Sequence, residues 1–172
     1  FFRKKLVKYE EIADRIEYEI ASFLNALPEE NISEDARHQV KSMYKIIGEL
    51  ESLGDAGESI SRILSRRNIH NKSFTAKQVE KVDTMISLVD KAYGIMISNL
   101  ESADNGQEEL RRAIDCEIEI NDMRNMLREE EILRLEQEGA EYQSSVYYLD
   151  IVSEIERMGD YIINISEALQ NK

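Results

Sequence analysis

Two stretches of this 172-residue chain set carboxylates where they could act together. Glu49, Glu51 and Asp55, with Gly54 before the Asp, recur 105 residues later as Glu154, Glu156 and Asp160, with Gly159 before the second Asp. On a helix, Glu51, Asp55 and Glu58 fall on one flank at i, i+4 and i+7, and Glu10, Asp14 and Glu17 form a second such line. Like charges at this spacing are mildly destabilising, so stability alone does not favour the lines. Two lines facing each other across a helix pair would repel further, and a bound cation would relieve that repulsion. Hard oxygen donors clustered this way suit Mg, Ca or Mn, and Fe, Zn or Ni where carboxylates bridge several ions. The competing reading is a solvated acidic face, the ordinary condition of any single Glu on a Glu-rich helix.

The elements that must carry these residues are helices. Leu6, Tyr9, Ile12, Ile16, Ile20, Phe23 and Leu27 share one face and predict a helix over about 3–27, closed by Pro28. Ser33 is a natural N-cap, with Glu34 and Asp35 suited to the first turn, for a long second helix to about residue 67. Thr75 and Gln78 fit a capping box that opens a third, whose apolar face reads Val79, Val82, Met85, Ile86, Val89, Tyr93 and Ile97. Asp104, Asn105 and Gly106 stop it. A fourth runs over about 107–136 and a fifth, after Gly139, over about 142–169. Ile46, Leu50, Leu53, Gly57, Ile60 and Leu64 form the core stripe of the second helix, echoed by Ile151, Ile155, Met158, Ile162, Ile165 and Leu169 in the fifth.

Long helices joined by short turns predict an all-α antiparallel bundle of about five helices. Helices one and two match helices four and five, so the chain reads as a duplicated three-helix unit lacking the first helix of its first copy. The expected division is a first half over 1–70 and a second over 71–172. Charged residues make up 33% and apolar residues 42%, with one Pro and no Trp, in keeping with a helical bundle. The net charge of -13 repels nucleic-acid backbones and anionic lipid headgroups, and points to cations or basic protein surfaces as partners. No apolar run approaches the roughly 20 residues of a membrane span. The chain opens at Phe1 without Met and is expected to be part of something longer.

Glu51 to Asp55 and Glu156 to Asp160, preceded by Glu49 and Glu154, resemble the acidic Glu/Asp-x-x-x-Asp signatures of PhoU proteins, regulators of bacterial phosphate uptake. The resemblance implies metal clusters on the surface of each three-helix unit. By position, Glu10 and Asp14 would join Glu49, Glu51 and Asp55 in the first, and Glu117 and Asn121 would join Glu154, Glu156 and Asp160 in the second. The chain departs from this pattern in its second copy: Asn121 replaces an acid, Arg124 stands where Glu17 stands, and Ile163 replaces the counterpart of Glu58. The first set is therefore the stronger metal candidate. The overall likeness is to the soluble segment that follows the membrane domain of bacterial sodium/phosphate cotransporters. It implies a membrane transport domain upstream in the same chain and a place on the cytoplasmic face of the membrane, while the net charge of -13 speaks against direct lipid binding by this segment. A free cytosolic regulator and a purely structural helical interaction or oligomerisation module are the alternatives, and a homodimer is a further candidate partner.

An enzyme is the least favoured class. His38 pairs only with Asp35 at i, i+3, without the second Glu-x-x-His motif a di-iron bundle needs. His70 sits in a turn, and Cys116, flanked by Asp115 and Glu117, reads as an inert thiol. No phosphate-cradling Gly-rich loop and no nucleophile-base arrangement is present.

Overall fold

A computed structural model describes residues 2–27, 33–101, 107–137 and 139–170. The expected turns at Pro28 and at Asp104 to Gly106 lie outside them. Five helices, α1 (Phe2–Asn25), α2 (Glu34–Ile69), α3 (Ala76–Glu101), α4 (Gln107–Leu135) and α5 (Tyr142–Gln170), make up the described chain, with no strand among the described residues. The caps form as their chemistry dictates. The Ser33 hydroxyl accepts the Ala36 amide at 3.2 Å. At α3, Thr75 Oγ1 accepts the Gln78 amide at 3.2 Å while Gln78 Oε1 accepts the Thr75 amide at 2.9 Å, a reciprocal capping box. Gly139 takes φ 88, the left-handed conformation a glycine adopts freely between two helices.

α5 is the centre of the molecule. It packs against α3 and α4 on one side and α2 on the other, and α1 touches only α2 among the described elements. The echoed stripe explains this placement: Ile151, Ile155, Ile162, Ile165 and Leu169 are all buried, and Ile46, Leu50, Leu53, Ile60 and Leu64 of α2 pack on the same cluster. The two expected halves therefore share one core across α2 and α5.

Two apolar faces differ from expectation. On α1, Tyr9, Ile12, Ile16 and Phe23 are exposed, Phe23 by 67%. The helix instead meets α2 through Leu6, Ala13 and Leu24, a side that also carries the half-buried Glu10 and Glu17. α1 has more apolar residues than one neighbour can cover. On α3 the buried line is Gln78, Met85, Val89, Ala92, Met96 and Asn99, which leaves Val79, Ile86 and Tyr93 exposed at its rim. The core face of α3 is turned from the expected one because Gln78 and Asn99 go inside.

Candidate metal centre

α1 and α2 run antiparallel and approach closely where small residues meet. A Cβ added to Gly54 would lie 3.5 Å from the Ala13 Cβ. Lower on the pair, the Tyr44 hydroxyl donates to the Ala21 carbonyl at 3.0 Å and to Asn25 Oδ1 at 2.7 Å, fixing the register. This register brings the two acidic lines together. Carboxylate oxygens of Glu10, Asp14 and Asp55 all lie within 4.8 Å of one another. Among the described residues, no other set of three His, Cys, Asp or Glu donors converges this way.

The rest of the two lines extends the field. The Glu10 carboxyl is held above its ordinary value by partial withdrawal from water and then by Asp14, Asp55 and Glu58. Glu51 is raised likewise, first by burial and then by Asp55, Glu17 and Asp14. Glu51 thus flanks the triad with Glu17, while Glu58 flanks its other end and is paired with Arg62. Glu17 and Glu58 belong to the acidic surface although only the i, i+4 pairs match the signature.

A hard cation fits this set. Oxygens bound to one ion at about 2.0–2.6 Å lie no more than roughly 4–5 Å apart, and a partly exposed triad leaves positions for water. Glu10, Asp14 and Asp55 would be the direct holders, with Glu51 close enough to join through water or a second ion.

Glu49 does not join them. Its Oε2 accepts Asn164 Nδ2 of α5 at 3.2 Å. Residues at i and i+2 are about 200° apart on a helix, so Glu49 and Glu51 must face different neighbours. Glu154 repeats this: it pairs with Arg157 at 2.9 Å and lines a cleft of about 380 Å³ with Ser59, Arg62 and Arg66 of α2. Glu49 and Glu154 therefore face other neighbours than the rest of their acidic sets.

The second set is assembled differently. α4 and α5 also approach at a glycine: a Cβ on Gly159 would lie 3.1 Å from Ile120 Cδ1 and 3.2 Å from its Cγ2. Glu117, Asn121, Glu156 and Asp160 are half-buried here, but Asn121 Nδ2 donates to Glu117 and Arg124 Nη2 donates to Glu156 Oε1 at 2.7 Å. Burial, then Glu156 and Glu117, hold the Asp160 carboxyl above its ordinary value, against the pull of Arg124 and Arg157.

The model of the PhoU domain matches residues 75–169, more than half of the chain. The chain belongs to the PhoU domain family. Searches of curated proteins and of solved structures each found no significant match. The PhoU match spans α3 to α5 and so contains the second acidic set, while α1, α2 and the whole of the first set lie outside it. Membership in the PhoU family suggests a role in regulating phosphate transport. None of the described helices of this PhoU chain is long and apolar enough to cross a membrane.

A polar cluster that sequence reasoning missed lies at the other end of α4. Glu131 is 3% exposed, and its oxygens accept Gln78 Nε2 at 3.0 and 3.1 Å and Arg134 Nη2 at 2.6 Å. Arg134 Nη2 also donates to Ser145 Oγ at 2.6 Å, tying α3, α4 and α5 together. Burial works to raise the Glu131 carboxyl, but hydrogen bonds from Arg134, Ser145 and Gln78 outweigh it and hold the group below its ordinary value. The neighbouring Tyr148 phenol is pushed up to about 12, by burial first and by Glu131 second. His70 and Cys116 have structural surroundings: the imidazole meets the Tyr147 hydroxyl, and the thiol is buried.

Proposed function

We propose that this chain is the regulatory PhoU domain of a sodium/phosphate transport protein. It binds a divalent or ferric ion through Glu10, Asp14 and Asp55 and adjusts transport by what that ion does to the α1–α2 pair. The observation that carries the metal reading is the convergence of three carboxylates from two helices within 4.8 Å. The transport reading is supported by the match to the PhoU domain family. In this reading the partner is a membrane transport domain in the same protein, and the domain lies at the cytoplasmic face of the membrane.

The chemistry is binding and not turnover. With the site empty, the acidic lines of α1 and α2 repel across their contact. A cation reverses that sign and draws the helices together. The ion acts on the transporter only through the difference in its affinity for the two helix-pair geometries.

The test is metal uptake by the purified protein, measured by elemental analysis after exposure to Mg, Ca, Mn, Ni, Zn and ferric ions in turn, with Glu10→Gln/Asp55→Asn beside it. The expected result is uptake by the parent that the double variant reduces at least about 10-fold, since even loss of an outer partner of a metal ligand typically costs 10- to 100-fold. Equal uptake by both proteins would refute the site. For the transport role, phosphate uptake by cells carrying the full-length protein should change its dependence on external phosphate when Glu10→Gln/Asp55→Asn is introduced; an unaltered dependence would refute it.

A further inference from the structure

We propose that Arg124 is the resident cation of the second acidic set, so that the α4–α5 flank takes no metal and only the α1–α2 flank responds to one. This rests on the reading of Glu10, Asp14 and Asp55 as a metal site, and extends it to the copy that the repeat makes of it.

The correspondence between the two copies is residue by residue. Adding 107 to α1 numbers converts Glu10, Ala13, Asp14 and Glu17 to Glu117, Ile120, Asn121 and Arg124. Adding 105 to α2 numbers converts Glu51, Gly54 and Asp55 to Glu156, Gly159 and Asp160. The helix contact is conserved along with the numbers, because Gly54 faces Ala13 and Gly159 faces Ile120, the equivalent pair. The second copy thus has the framework of the first, with three changes of charge at the six positions of the two acidic lines. Asn121 removes one anion, Ile163 removes another, and Arg124 reverses a third.

The side chains respond as a set that already holds its counter-charge. Arg124 is 30% exposed and Glu156 16%, and their ion pair closes at 2.7 Å across α4 and α5. The Asn121 amide donates to Glu117 and so occupies an oxygen that a metal would need. A guanidinium cannot be deprotonated at any accessible pH, and it cannot dissociate from its own chain. A metal entering here would meet a fixed positive charge and would have to displace it from Glu156. The donor set therefore does not fit a metal ion, although the backbone that presents it does.

The consequence is an asymmetric domain. One helix pair is closed permanently by a tethered cation, and the other is closed only while a dissociable one is bound. α5, which carries the permanent joint, is also the helix at the centre of the fold.

The experiment is Mn2+ titration of the purified protein, read by water-proton relaxation and elemental analysis, with circular dichroism to verify folding. In the parent, Asp160→Asn should leave Mn2+ uptake unchanged within about twofold, whereas loss of a true ligand would cost 10-fold or more. Arg124→Glu/Asn121→Asp, which restores two of the three charges of the first copy, should bind one additional ion per chain. If the parent takes no Mn2+ and this variant takes one ion, the assignment of Arg124 as the resident cation of the α4–α5 flank stands and the metal reading of the α1–α2 flank fails. A folded Arg124→Glu/Asn121→Asp protein that gains no ion would overturn the proposal. So would a parent whose uptake is lost on Asp160→Asn but kept on Asp55→Asn, an arm that decides even where the double variant does not fold.

Discussion

Replacing Gly54 and Gly159 separately by Ala asks whether the two helix contacts are built to the same tolerance. Glycine inside a helix costs about 0.8–1.0 kcal/mol relative to Ala, so each substitution starts from that gain. At Gly54 the new methyl would meet the Ala13 Cβ at 3.5 Å, an ordinary van der Waals distance, and the gain should be kept. For a domain of this size about 1 kcal/mol corresponds to a rise of roughly 2–4 °C in Tm. At Gly159 the methyl would meet Ile120 Cδ1 at 3.1 Å and Cγ2 at 3.2 Å. Ile120 is 1% exposed, and its Cγ2 cannot retreat without a change of χ1, which is stiff in a β-branched residue. Overpacking of this kind costs about 1–3 kcal/mol, which outweighs or cancels the propensity gain and leaves a net loss of about 0–2 kcal/mol. Equilibrium urea unfolding of the two variants against the parent, with equal m-values, reads the difference directly. Equal stabilisation at both positions would refute the argument that Gly159 is held by close packing of α4 on α5.

Other outcomes follow from the same geometry. Glu131→Ala should destabilise by about 3–5 kcal/mol in urea unfolding, because it leaves the buried Gln78 amide without its acceptor and the Arg134 charge without its counter-ion. The Glu131 carboxyl is lowered in the fold, so its contribution is fully present above the unfolded value of 4.5 and is lost as pH falls through the folded value. Glu131→Gln should therefore flatten the acid limb of a stability-against-pH curve, and an unchanged limb would remove Glu131 from that role. Phe23→Ser on the exposed face of α1 should shift stability by no more than about 0.5 kcal/mol, whereas Ile155→Ala in the core should cost about 2–5 kcal/mol. A Phe23→Ser cost as large as that of Ile155→Ala would show that the α1 face is covered in solution.

The five helices were legible because long periodic segments with Ser33 and Thr75 at their starts have few alternatives. The rotation of two of them was not. α1 offers apolar residues around much of its circumference, and periodicity does not say which of them a single neighbour will cover. α3 turned because Gln78 is recruited by Glu131, 53 residues away, and Glu131 sits in the run Arg128-Glu-Glu-Glu, which reads as a solvated face. Nothing local distinguishes the one Glu of that run that goes inside. The acidic triad was legible for the opposite reason: Glu10, Asp14 and Asp55 obey helical spacing, and only the pairing of α1 with α2 had to be supplied. The separate facing of Glu49 and Glu154 was legible too, since their i, i+2 offset from Glu51 and Glu156 puts them on the other side of the helix.

The position of the triad also limits what an ion bound there can do. α1 makes its described contacts with α2 alone, while α2 is joined to α5 through a continuous apolar core. A change in attraction between the two acidic lines meets little resistance on the α1 side and much on the α2 side. The ion would therefore move or order α1 relative to a stationary body formed by α2 to α5. That places the output of the site on α1 itself, whose outer face carries Tyr9, Ile12, Ile16, Tyr18 and Phe23 in the open. In the second copy the corresponding helix, α4, is covered by α3 and fastened by Arg124 to Glu156, so the same motif there serves cohesion. The two joints share a glycine contact and differ in charge at three positions of the acidic lines, and on the proposed metal reading that difference leaves the α4–α5 joint fixed and the α1–α2 joint responsive to a cation.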